Sequence, residues 1–404
     1  MSFSLSDFYT YMDSLIERGM NRGLDRVKQA AALLDNPQDG LKVIHIAGTN
    51  GKGSTCTFIA ELLAQSGYRV GLMLSPHVDD YRERIQIASA ESSLHQIGEG
   101  ELLAMHVHLR KTVGDKVPLT YYEWTTLLAL QFFSMQKLDF VVLETGLGGR
   151  WDASNICPSI VSGITTVGLD HMDILGGTVE KILAEKLQIV KPDSDFIFGP
   201  KDESLITQAV DHADQVGAHL HAVKSFSVIP AEAEIQQLPP YLYKNLQFAL
   251  TVGEVLKTKG YKIKDQEFLS KPMNGIPARF EIIHENPLII LDGAHNEPAL
   301  KELKKYLSET YNDDYDLVFG CLKTRDFLAL SDIIVSKHEN HWARFDAQNQ
   351  THDDQEYQRL REKHGGKIID LNKDAVNELL CQKSKRPIVV CGSFYLCSDF
   401  RRFL

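Results

Sequence analysis

The sequence has few of the features that mark an exported or membrane-spanning protein. Of its 404 residues, 6 are cysteine, and no two of these form a CxxC pair. No apolar run reaches the roughly 18 residues that cross a bilayer, and the N-terminal segment lacks the charged and apolar regions of a signal peptide. We therefore expect a soluble, cytoplasmic protein with reduced, buried thiols and no contact with a membrane.

The sequence also lacks an excess of positive charge. It has 43 Lys and Arg residues against 54 Asp and Glu residues, a formal net charge of -11. This balance argues against nonspecific binding of nucleic acid, because the phosphates would be repelled. Anionic substrates must instead be bound by local cations, metal ions or helix N-termini. A chain of 404 residues also exceeds what one hydrophobic core usually serves, so we expect two domains.

One stretch joins a buried strand to a helix through a glycine-rich turn. Apolar residues from Val43 to Ile46 predict the strand, and the residues after Ser54 are apolar at helical spacing. The glycines let the backbone wrap an anion, and a helix N-terminus presents unpaired N–H groups to it. We expect Lys52 to bind the β- and γ-phosphates of a nucleotide and Ser54 to face Mg²⁺. The alternative is a glycine-rich turn with an incidental lysine.

Other predicted strands also end at polar residues, where ligands bind in open α/β sheets. Glu144 follows a buried strand that begins at Phe140, and glycines come next. A buried carboxylate is costly unless it has a partner, so Glu144 at this place is typical of a Mg²⁺ ligand that faces phosphate. Ser75 and His171 also follow strands. The alternatives are a satisfied loop carboxylate, a serine that caps a turn and a structural histidine.

Short motifs occur in a fixed order along nearly the whole chain. They are TNGKGST at 49–55, SPH at 75–77 with ERI at 83–85, ETGLGGRWDASNI at 144–156, DHMD at 170–173, ARFE at 278–281 and LDGAHN at 291–296. They resemble the motifs of the dihydrofolate synthase/folylpolyglutamate synthase family, a branch of the Mur-type amide ligases. TNGKGST differs from the common P-loop spacing and is closest to the version in this family.

The resemblance implies an α/β fold in two domains. Residues 1–276 would form a P-loop ATPase-like domain with a mostly parallel sheet, which binds ATP and the pteroyl group. Residues 277–404 would form a smaller, Rossmann-like α/β domain for glutamate ligation. The sequence itself favours a boundary near 273–280, because Gly275 and Pro277 interrupt the periodicity there. We expect a monomer.

The resemblance also implies a set of nucleotide and metal residues. ATP would be bound by Asn50, Gly51, Lys52, Gly53, Ser54, Asn245, Arg279 and Asp292. Two Mg²⁺ ions would be held by Ser54, Ser75, Glu144, His171 and a carbamylated Lys186, with potassium as a further candidate ion. The catalytic residues would be Lys52, Lys186 and His295. For Lys186 the alternative is a surface helix position paired with a glutamate.

The acceptor substrate would be bound by residues from two motifs. The resemblance implies Tyr121, Tyr122, Glu123, Trp124, Trp151, Asp152 and Ala153. Aromatic side chains stack on flat heterocycles, but they also simply fill cores, so core packing is the alternative for Tyr121, Tyr122 and Trp124.

The implied reaction is the ATP-dependent joining of L-glutamate to a pteroate. A carboxylate would receive the γ-phosphate, and the amine of glutamate would attack the acyl phosphate. The acceptor would be dihydropteroate, giving dihydrofolate, and tetrahydrofolate for further glutamates. One alternative is elongation of tetrahydrofolate alone. Another, of a different class, is a P-loop ATPase that binds a partner without making a covalent product.

Overall fold

The computed structural model describes residues 3–19, 22–225, 238–269, 275–347, 350–381 and 386–404. The chain divides into two compact units. Unit 1 comprises Met1–Ala233 and Lys244–Lys271, and unit 2 comprises Glu234–Tyr243 and Pro272–Leu404. Residues 273 and 274 of the predicted boundary segment lie outside the described residues. Among the helices described, none is both long and apolar enough to cross a bilayer.

The described part of unit 1 contains one sheet of eight strands, in the order β4-β3-β2-β5-β1-β6-β7-β8. Its strands are β1 Val43–Ala47, β2 Val70–Met73, β3 Ile85–Ser89, β4 Ser92–Gln96, β5 Phe140–Glu144, β6 Ser159–Ile164, β7 Asp195–Phe198 and β8 His219–Ala222. Its helices are α1 Leu5–Ile16, α2 Asp25–Leu33, α3 Lys52–Gln65, α4 Glu99–Thr112, α5 Tyr121–Met135, α6 Met172–Leu175, α7 Val179–Lys186, α8 Glu203–Val216, α9 Pro240–Thr258 from Lys244 onward, and α10 Asp265–Leu269.

Parallel pairing at the centre of this sheet places the motifs at one edge. Strand β1 pairs in parallel with β5 and β6, and β2 pairs in parallel with β5. Every residue of β1 and β5 is buried, which explains their continuous apolar runs. The segments that follow these strands therefore leave the same edge of the sheet, which is where open α/β sheets bind ligands.

The N-terminal helices form a core on one side of the sheet. Helix α1 begins with a capping box between Ser4 and Asp7, and its buried side chains include Phe8 and Met12. These pack in one apolar cluster with Trp124 of α5. This packing fixes the position of α5, whose first turn carries the predicted acceptor residues.

The sequence from Ser89 to Leu109 predicts a helix after a polar lead-in, and the structure corrects this prediction. Ile85–Ser89 and Ser92–Gln96 form an antiparallel hairpin, β3 and β4, and the helix α4 begins only at Glu99. The hairpin is closed by a hydrogen bond between the side-chain oxygens of Ser89 and Ser92, 3.0 Å apart. The edge strand β4 is short and polar and carries no apolar signal of its own, so the sequence does not indicate the hairpin.

The described part of unit 2 contains a second sheet, of six strands, in the order β13-β12-β11-β14-β10-β9. Its strands are β9 Glu281–Glu285, β10 Leu288–Asp292, β11 Asp316–Phe319, β12 Asn340–Arg344, β13 Lys367–Asp370 and β14 Ile388–Cys391. Its helices are α11 Glu297–Tyr311, α12 Phe327–Ile334, α13 Asp354–His364, α14 Lys373–Leu380 and α15 Phe394–Phe403.

Both sheets are mostly parallel, and the predicted α/β fold is confirmed. In unit 2 all described strand pairs are parallel except the pair of β9 with β10. The antiparallel edge strand β9 was not predicted, because its residues are half-buried or exposed and it lacks a buried apolar run.

Candidate active site

The loop between β1 and α3 has the geometry of an anion cradle. Gly51 adopts a left-handed conformation with φ of 83° and stands at the N-cap of α3. No described side chain caps this helix, so the N–H groups of its first turn remain available to a ligand. The backbone of the loop is also closely packed: a Cβ on Gly48 would collide with Thr165 Oγ1, and a Cβ on Gly51 would collide with the Asn245 amide.

Two lysines point at the same backbone carbonyl in this loop. Lys52 Nζ donates to the carbonyl oxygens of Gly48 at 3.1 Å and Thr49 at 3.2 Å. Lys186 Nζ donates to the Gly48 carbonyl at 3.0 Å. The structure therefore brings together the lysine of the phosphate loop and the last residue of α7, which are far apart in the sequence.

Lys186 is buried rather than exposed, so the surface-helix alternative for this residue is wrong. Only 3% of the surface of Lys186 is exposed to solvent. Burial, followed by the nearby charge of Lys52, lowers the pKa of Lys186 from 10.5 to about 7, while Asp170 and Asp152 act in the opposite direction. A large fraction of Lys186 is therefore a neutral amine near neutral pH, which is the form that reacts with CO₂.

Glu144 and Ser75 are adjacent at the ends of β5 and β2. The backbone N–H of Ser75 donates to Glu144 Oε2 at 2.8 Å. Glu144 is 4% exposed. Ser54, in the first turn of α3, is buried, and its hydroxyl has no hydrogen-bond partner in the described part of the chain. An oriented carboxylate and a buried hydroxyl in need of a partner fit the oxygen ligands that Mg²⁺ prefers.

His171 lies on the segment that follows β6. It adopts a left-handed conformation with φ of 48° at the N-cap of α6, and its side chain is exposed. Its Nε2 lies 3.8 Å from Asp170 Oδ1. No group of three or more His, Cys, Asp or Glu side chains with metal-binding geometry occurs among the residues that the structure describes. A metal ion here would accordingly take much of its coordination from hydroxyls, substrate oxygens or water.

Tyr122 joins the predicted acceptor residues to the Glu144 segment. Its hydroxyl donates to the Glu144 carbonyl at 3.1 Å, and its ring packs against Gly146 so closely that a Cβ there would collide. Tyr121 is half-buried beside Arg84, whose guanidinium carbon lies 5.3 Å from the Tyr121 ring centre. Both tyrosines therefore lie near the carboxyl ends of β2 and β5.

In the loop after Glu144, the ring of Trp151 is exposed and the carboxylate of Asp152 is buried. Trp151 is 47% exposed, whereas Asp152 and Ala153 are buried. Asp152 Oδ2 accepts from the Leu147 N–H at 2.9 Å, and Oδ1 accepts from the Ser154 N–H at 3.0 Å. Burial raises the pKa of Asp152. Asp152 thus holds the loop closed, and Trp151 is the side chain that this loop offers to a ligand.

Two of the predicted acceptor residues, Glu123 and Trp124, are buried and contact other protein side chains. Trp124 is fully buried, and its ring packs edge-on against Tyr11 at 4.9 Å between centroids. Glu123 closes the capping box of α5 with Thr120 and forms an ion pair with Arg26 at 2.8 Å. In this structure Trp124 packs in the core and Glu123 caps α5, which agrees with the core-packing alternative for Trp124.

The sequence does not predict a buried chain of hydrogen bonds that joins His45, Ser154 and Asp152. His45 Nε2 lies 2.7 Å from Ser154 Oγ, and Ser154 Oγ donates to Asp152 Oδ1. The serine lies between the other two groups and all three are buried, so this is not the arrangement of a nucleophilic triad, in which histidine stands between serine and acid. His45 stands within an apolar strand, where periodicity gives no signal for a polar partner.

A second missed cluster surrounds Arg84 at the end of β2. Arg84 Nε donates to His77 Nδ1 at 2.7 Å, and Arg84 lies over the rings of Tyr81 and Tyr121. Burial, followed by the charge of Arg84, lowers the pKa of His77 to about 3. His77 is therefore neutral at physiological pH, and the cluster presents one buried guanidinium. The SPH and ERI motifs contain His77 and Arg84, but they do not indicate that these two side chains pair.

Unit 2 holds the remaining predicted nucleotide residues. Asp292 is buried and accepts from the Tyr241 hydroxyl at 2.7 Å and from the N–H groups of Phe280 at 2.8 Å and Ala294 at 2.9 Å. Burial raises the pKa of Asp292. These bonds show that Asp292 fixes the turn after β10 and its link to the ARFE segment.

Arg279 and His295 meet at one aromatic ring within unit 2. The Arg279 guanidinium lies 4.1 Å from the centre of the Phe394 ring. The His295 ring lies 5.6 Å from Phe394, and His295 Nδ1 is 2.8 Å from the Gly293 carbonyl. The ARFE and LDGAHN motifs are therefore neighbours in space.

Comparison with known proteins supports a common ancestry with folate ligases. The family described as "Mur ligase middle domain" matches residues 46–221. The dihydrofolate synthase/folylpolyglutamate synthase of Escherichia coli is 33% identical over 310 residues, which cover 74% of this chain and 71% of that protein. The protein of the same name from Bacillus subtilis is 28% identical over 437 aligned residues and covers 100% of both chains.

Solved structures agree with this result over nearly the whole chain. E. coli FolC in complex with DHPP and ADP has a TM-score of 0.83 at 28% identity, covering 99% of this chain and 97% of that one. The Yersinia pestis enzyme complexed with AMPPNP and a Mn ion has a TM-score of 0.84 at 29% identity, with the same coverage. The predicted family is thus confirmed. The chain belongs to the dihydrofolate synthase/folylpolyglutamate synthase family and is an ATP-dependent acid–amino-acid ligase.

Proposed function

We propose that the chain joins L-glutamate to dihydropteroate to make dihydrofolate, and that it adds further glutamates to tetrahydrofolate. The observation that carries this proposal is the convergence of the uncapped α3 N-terminus, Lys52, Lys186 and Glu144 at one edge of the sheet in unit 1. Relatives with this function are known in complex with ADP or AMPPNP, and one of them also with L-glutamate.

The proposed reaction has two steps. The acceptor carboxylate attacks the γ-phosphorus of ATP, so that a P–O bond forms, ADP leaves and an acyl phosphate results. The amine of glutamate then attacks the acyl carbon, an amide bond forms, and inorganic phosphate leaves with the proton of the amine going to solvent. Burial raises the pKa of the Cys56 and Cys157 thiols, so neither offers a thiolate, and positioning with electrostatics is the mechanism left to the chain.

Within this mechanism the phosphate loop binds the nucleotide. The N–H groups from Gly51 to Ser54 would hold the phosphates, and Lys52 would exchange its backbone carbonyls for phosphate oxygens. Asn245 is held against Gly51 and would contact the nucleotide. In unit 2, Arg279 and His295 are proposed to contribute to ATP binding and catalysis, and Asp292 to fix the turn between them.

We propose Ser54, Ser75, Glu144 and His171 as ligands of Mg²⁺, with two ions in the complete site. When bound, Mg²⁺ neutralises charge on the transferring phosphoryl group. Lys186 would serve as a carbamate, because a carbamate attracts a second cation that an ammonium repels. Electron density at Lys186 in crystals grown with bicarbonate and Mg²⁺ tests this, and an unmodified amine beside a bound ion would overturn it. Potassium remains a proposal of the same kind.

Tyr121, Tyr122 and Trp151 are the proposed contacts to the pteroyl group, with Asp152 and Ala153 shaping the loop. We further propose residues 1–276 as the ATP- and pteroyl-binding domain and residues 277–404 as the glutamate-ligase domain, in a monomeric cytoplasmic enzyme. This division follows the resemblance and the restart of strand–helix alternation after Pro277.

The experiment that tests the proposal offers two acceptors in parallel. Purified protein is incubated with Mg·ATP and L-glutamate and either dihydropteroate or tetrahydrofolate, and each product is identified by mass. We expect one added glutamyl residue on dihydropteroate and one or more on tetrahydrofolate. Product from tetrahydrofolate alone would replace the proposal with folylpolyglutamate synthase, and no product from either would contradict it.

A further inference from the structure

Three threonine side chains connect the phosphate loop to the segment that leads to His171. Thr165 and Thr166 follow β6 directly, and Thr49 belongs to the phosphate loop. Thr165 Oγ1 donates to the Asn50 carbonyl at 2.7 Å, and Thr166 Oγ1 donates to the same carbonyl at 3.0 Å. Thr166 Oγ1 also accepts from the Asn50 N–H at 2.9 Å. The two hydroxyls thus bind both backbone polar groups of one residue in the loop, Asn50.

The third hydroxyl makes the connection in the opposite direction. Thr49 Oγ1 accepts from the Gly168 N–H at 3.0 Å and donates to the Gly168 carbonyl at 3.2 Å. In addition the Thr49 N–H donates to the Thr166 carbonyl at 2.8 Å. Each segment therefore binds the backbone of the other through its own side chains, which fixes their relative position more firmly than backbone pairing alone.

These contacts come at the start of the loop that ends in the nucleotide site. Asn50 precedes Gly51, whose left-handed conformation starts α3, and Gly168 lies three positions before His171. The Asn50 N–H is bound by the Thr166 hydroxyl. The backbone N–H groups at the start of α3, which no side chain in the described part of the chain caps, can therefore face a ligand. Because the loop is already held in one conformation, it loses less conformational entropy when the nucleotide binds than a mobile loop would.

We propose that Thr49, Thr165 and Thr166 form a threonine clamp that positions the phosphate loop relative to the His171 segment, and so sets the affinity for the metal–nucleotide complex. The clamp residues are positioning residues that act through Asn50 and Gly168. The proposal rests on the function proposed above, because it takes the loop as the ATP site and His171 as a metal ligand.

Thr166 offers the cleanest test because its side chain is exposed, so a change there leaves the core intact. Thr166→Val keeps the shape and removes the hydroxyl, whereas Thr166→Ser keeps the hydroxyl. Thr207→Val is a matched control, since Thr207 is also exposed and its hydroxyl donates to the Glu203 carbonyl at 2.9 Å, within one helix. All are made in the full chain.

The measurement is the binding of Mg·AMPPNP by calorimetry, with the melting temperature of each variant recorded without nucleotide. We expect Thr166→Val to bind about tenfold more weakly, the size of effect that loss of one or two hydrogen bonds produces. Thr166→Ser and Thr207→Val should bind within about twofold of the parent protein, because their clamp hydroxyls are intact. In steady state the KM for ATP should rise in Thr166→Val while the KM for the acceptor stays unchanged.

Two results would overturn the clamp. Unchanged affinity in Thr166→Val would show that the hydroxyl does not position the loop, whether or not the melting temperature falls. An equal loss of affinity in Thr166→Ser would show that the methyl group or the backbone matters instead. Failure of the parent protein itself to bind Mg·AMPPNP would contradict the proposed nucleotide site and would be recognised separately from failure of the clamp.

Discussion

The role that can be assigned to Lys186 depends on its surroundings in the fold and not on the sequence pattern around it. In the sequence it stands in an ordinary helix with a glutamate beside it, but in the structure it is buried and shares the Gly48 carbonyl with Lys52. Two ammonium groups at one carbonyl repel each other, and burial penalises the charge of Lys186. The environment therefore favours an uncharged or carbamylated Lys186, in line with the proposed metal role.

Glu144→Gln is expected to abolish Mg²⁺-dependent turnover with little effect on folding. Glutamine keeps the shape and an oxygen that accepts from the Ser75 N–H, but it lacks the charge that binds a cation. We expect kcat to fall by at least about 100-fold, as for the loss of a metal ligand or its orienting partner. Turnover is measured over a range of Mg²⁺ concentrations.

Glu61→Gln is the control for this substitution. Glu61 is a half-buried glutamate of unit 1, but it lies nine residues after Lys52 on α3, about 14 Å along the helix. The activity of the Glu61→Gln variant should match that of the parent protein. If Glu144→Gln remained near parental activity while both variants fold, Glu144 would be removed from the metal site.

Glu61 also makes a prediction about the pH dependence of stability. Burial raises its pKa from 4.5 to about 7, so the folded chain keeps a proton that the unfolded chain releases between those values. Stability contributed by Glu61 is therefore complete below pH 4.5 and is lost as the pH rises to 7. The slope is at most about 1.4 kcal/mol per pH unit, reduced by solvent because the residue is partly exposed.

The measurement compares denaturant unfolding of Glu61→Gln with the parent protein at a series of pH values. Glutamine does not ionise, so the variant should gain stability relative to the parent as the pH rises from 4.5 to 7 and should keep that gain above pH 7. A difference that is constant with pH would show that the Glu61 carboxyl does not titrate abnormally.

At the scale of elements, helix α5 divides its residues between two tasks. Its first turn presents Tyr121 and Tyr122 toward the ends of β2 and β5, while Trp124 faces the core formed with α1 and α4. The sequence LTYYEW predicted an aromatic cluster at a helix start, but periodicity over four residues does not say which aromatic ring faces inward. Only the packing of α1 decides this.

Trp124→Ala should therefore destabilise the protein without changing substrate binding. Removing a fully buried indole leaves a cavity and costs about 3–5 kcal/mol of unfolding free energy. Denaturant unfolding measures this loss, and the KM for dihydropteroate of the remaining folded enzyme should be unchanged. A raised KM with unchanged stability would restore Trp124 to the acceptor site.

The chain of hydrogen bonds from His45 of β1 through Ser154 to Asp152 leads to a second prediction at this scale. Ser154→Ala removes the oxygen between His45 and Asp152 and leaves the buried His45 Nε2 without its partner, which costs about 1–3 kcal/mol. Because Asp152 holds the loop that carries Trp151, the KM for dihydropteroate should also rise, as measured by steady-state kinetics.

Ser162→Ala separates the effect on the loop from a general loss of stability. Ser162 is a buried serine on β6 whose hydroxyl donates to the Ile189 carbonyl at 3.0 Å. It should lower stability by a similar amount and leave the KM for dihydropteroate unchanged. A rise of this KM in both variants, or in neither, would contradict the role assigned to Ser154.

At the scale of the whole molecule, the sequence predicts what depends on local pattern. Buried parallel strands such as β1 and β5 are continuous apolar runs, and glycine-rich turns mark the residues after them, so the α/β class and most motif positions follow from sequence. Lys52, Ser75 and Glu144 lie at one sheet edge, because the parallel strands β1, β2 and β5 place their carboxyl ends together. Lys186 reaches the same loop from the end of α7 through its bond to the Gly48 carbonyl.

The rest depends on contacts between distant segments. The polar edge strand β4 is held by its pairing with β3 rather than by its own composition. The partnership of His45 with Ser154 spans 109 residues, and that of Thr49 with Gly168 spans 119. No local period records such pairs, so they emerge only from the fold.

The central claim is that hydrolysis of ATP is coupled to formation of an amide, and its most direct test is the dependence of ADP release on both other substrates. Purified protein with saturating Mg·ATP is assayed for ADP with and without L-glutamate and dihydropteroate, and amide product is counted by mass in the same samples. We predict one ADP per amide formed, and almost no ADP when either substrate is omitted. Steady ADP release without glutamate and without amide product would contradict the account and favour a P-loop ATPase.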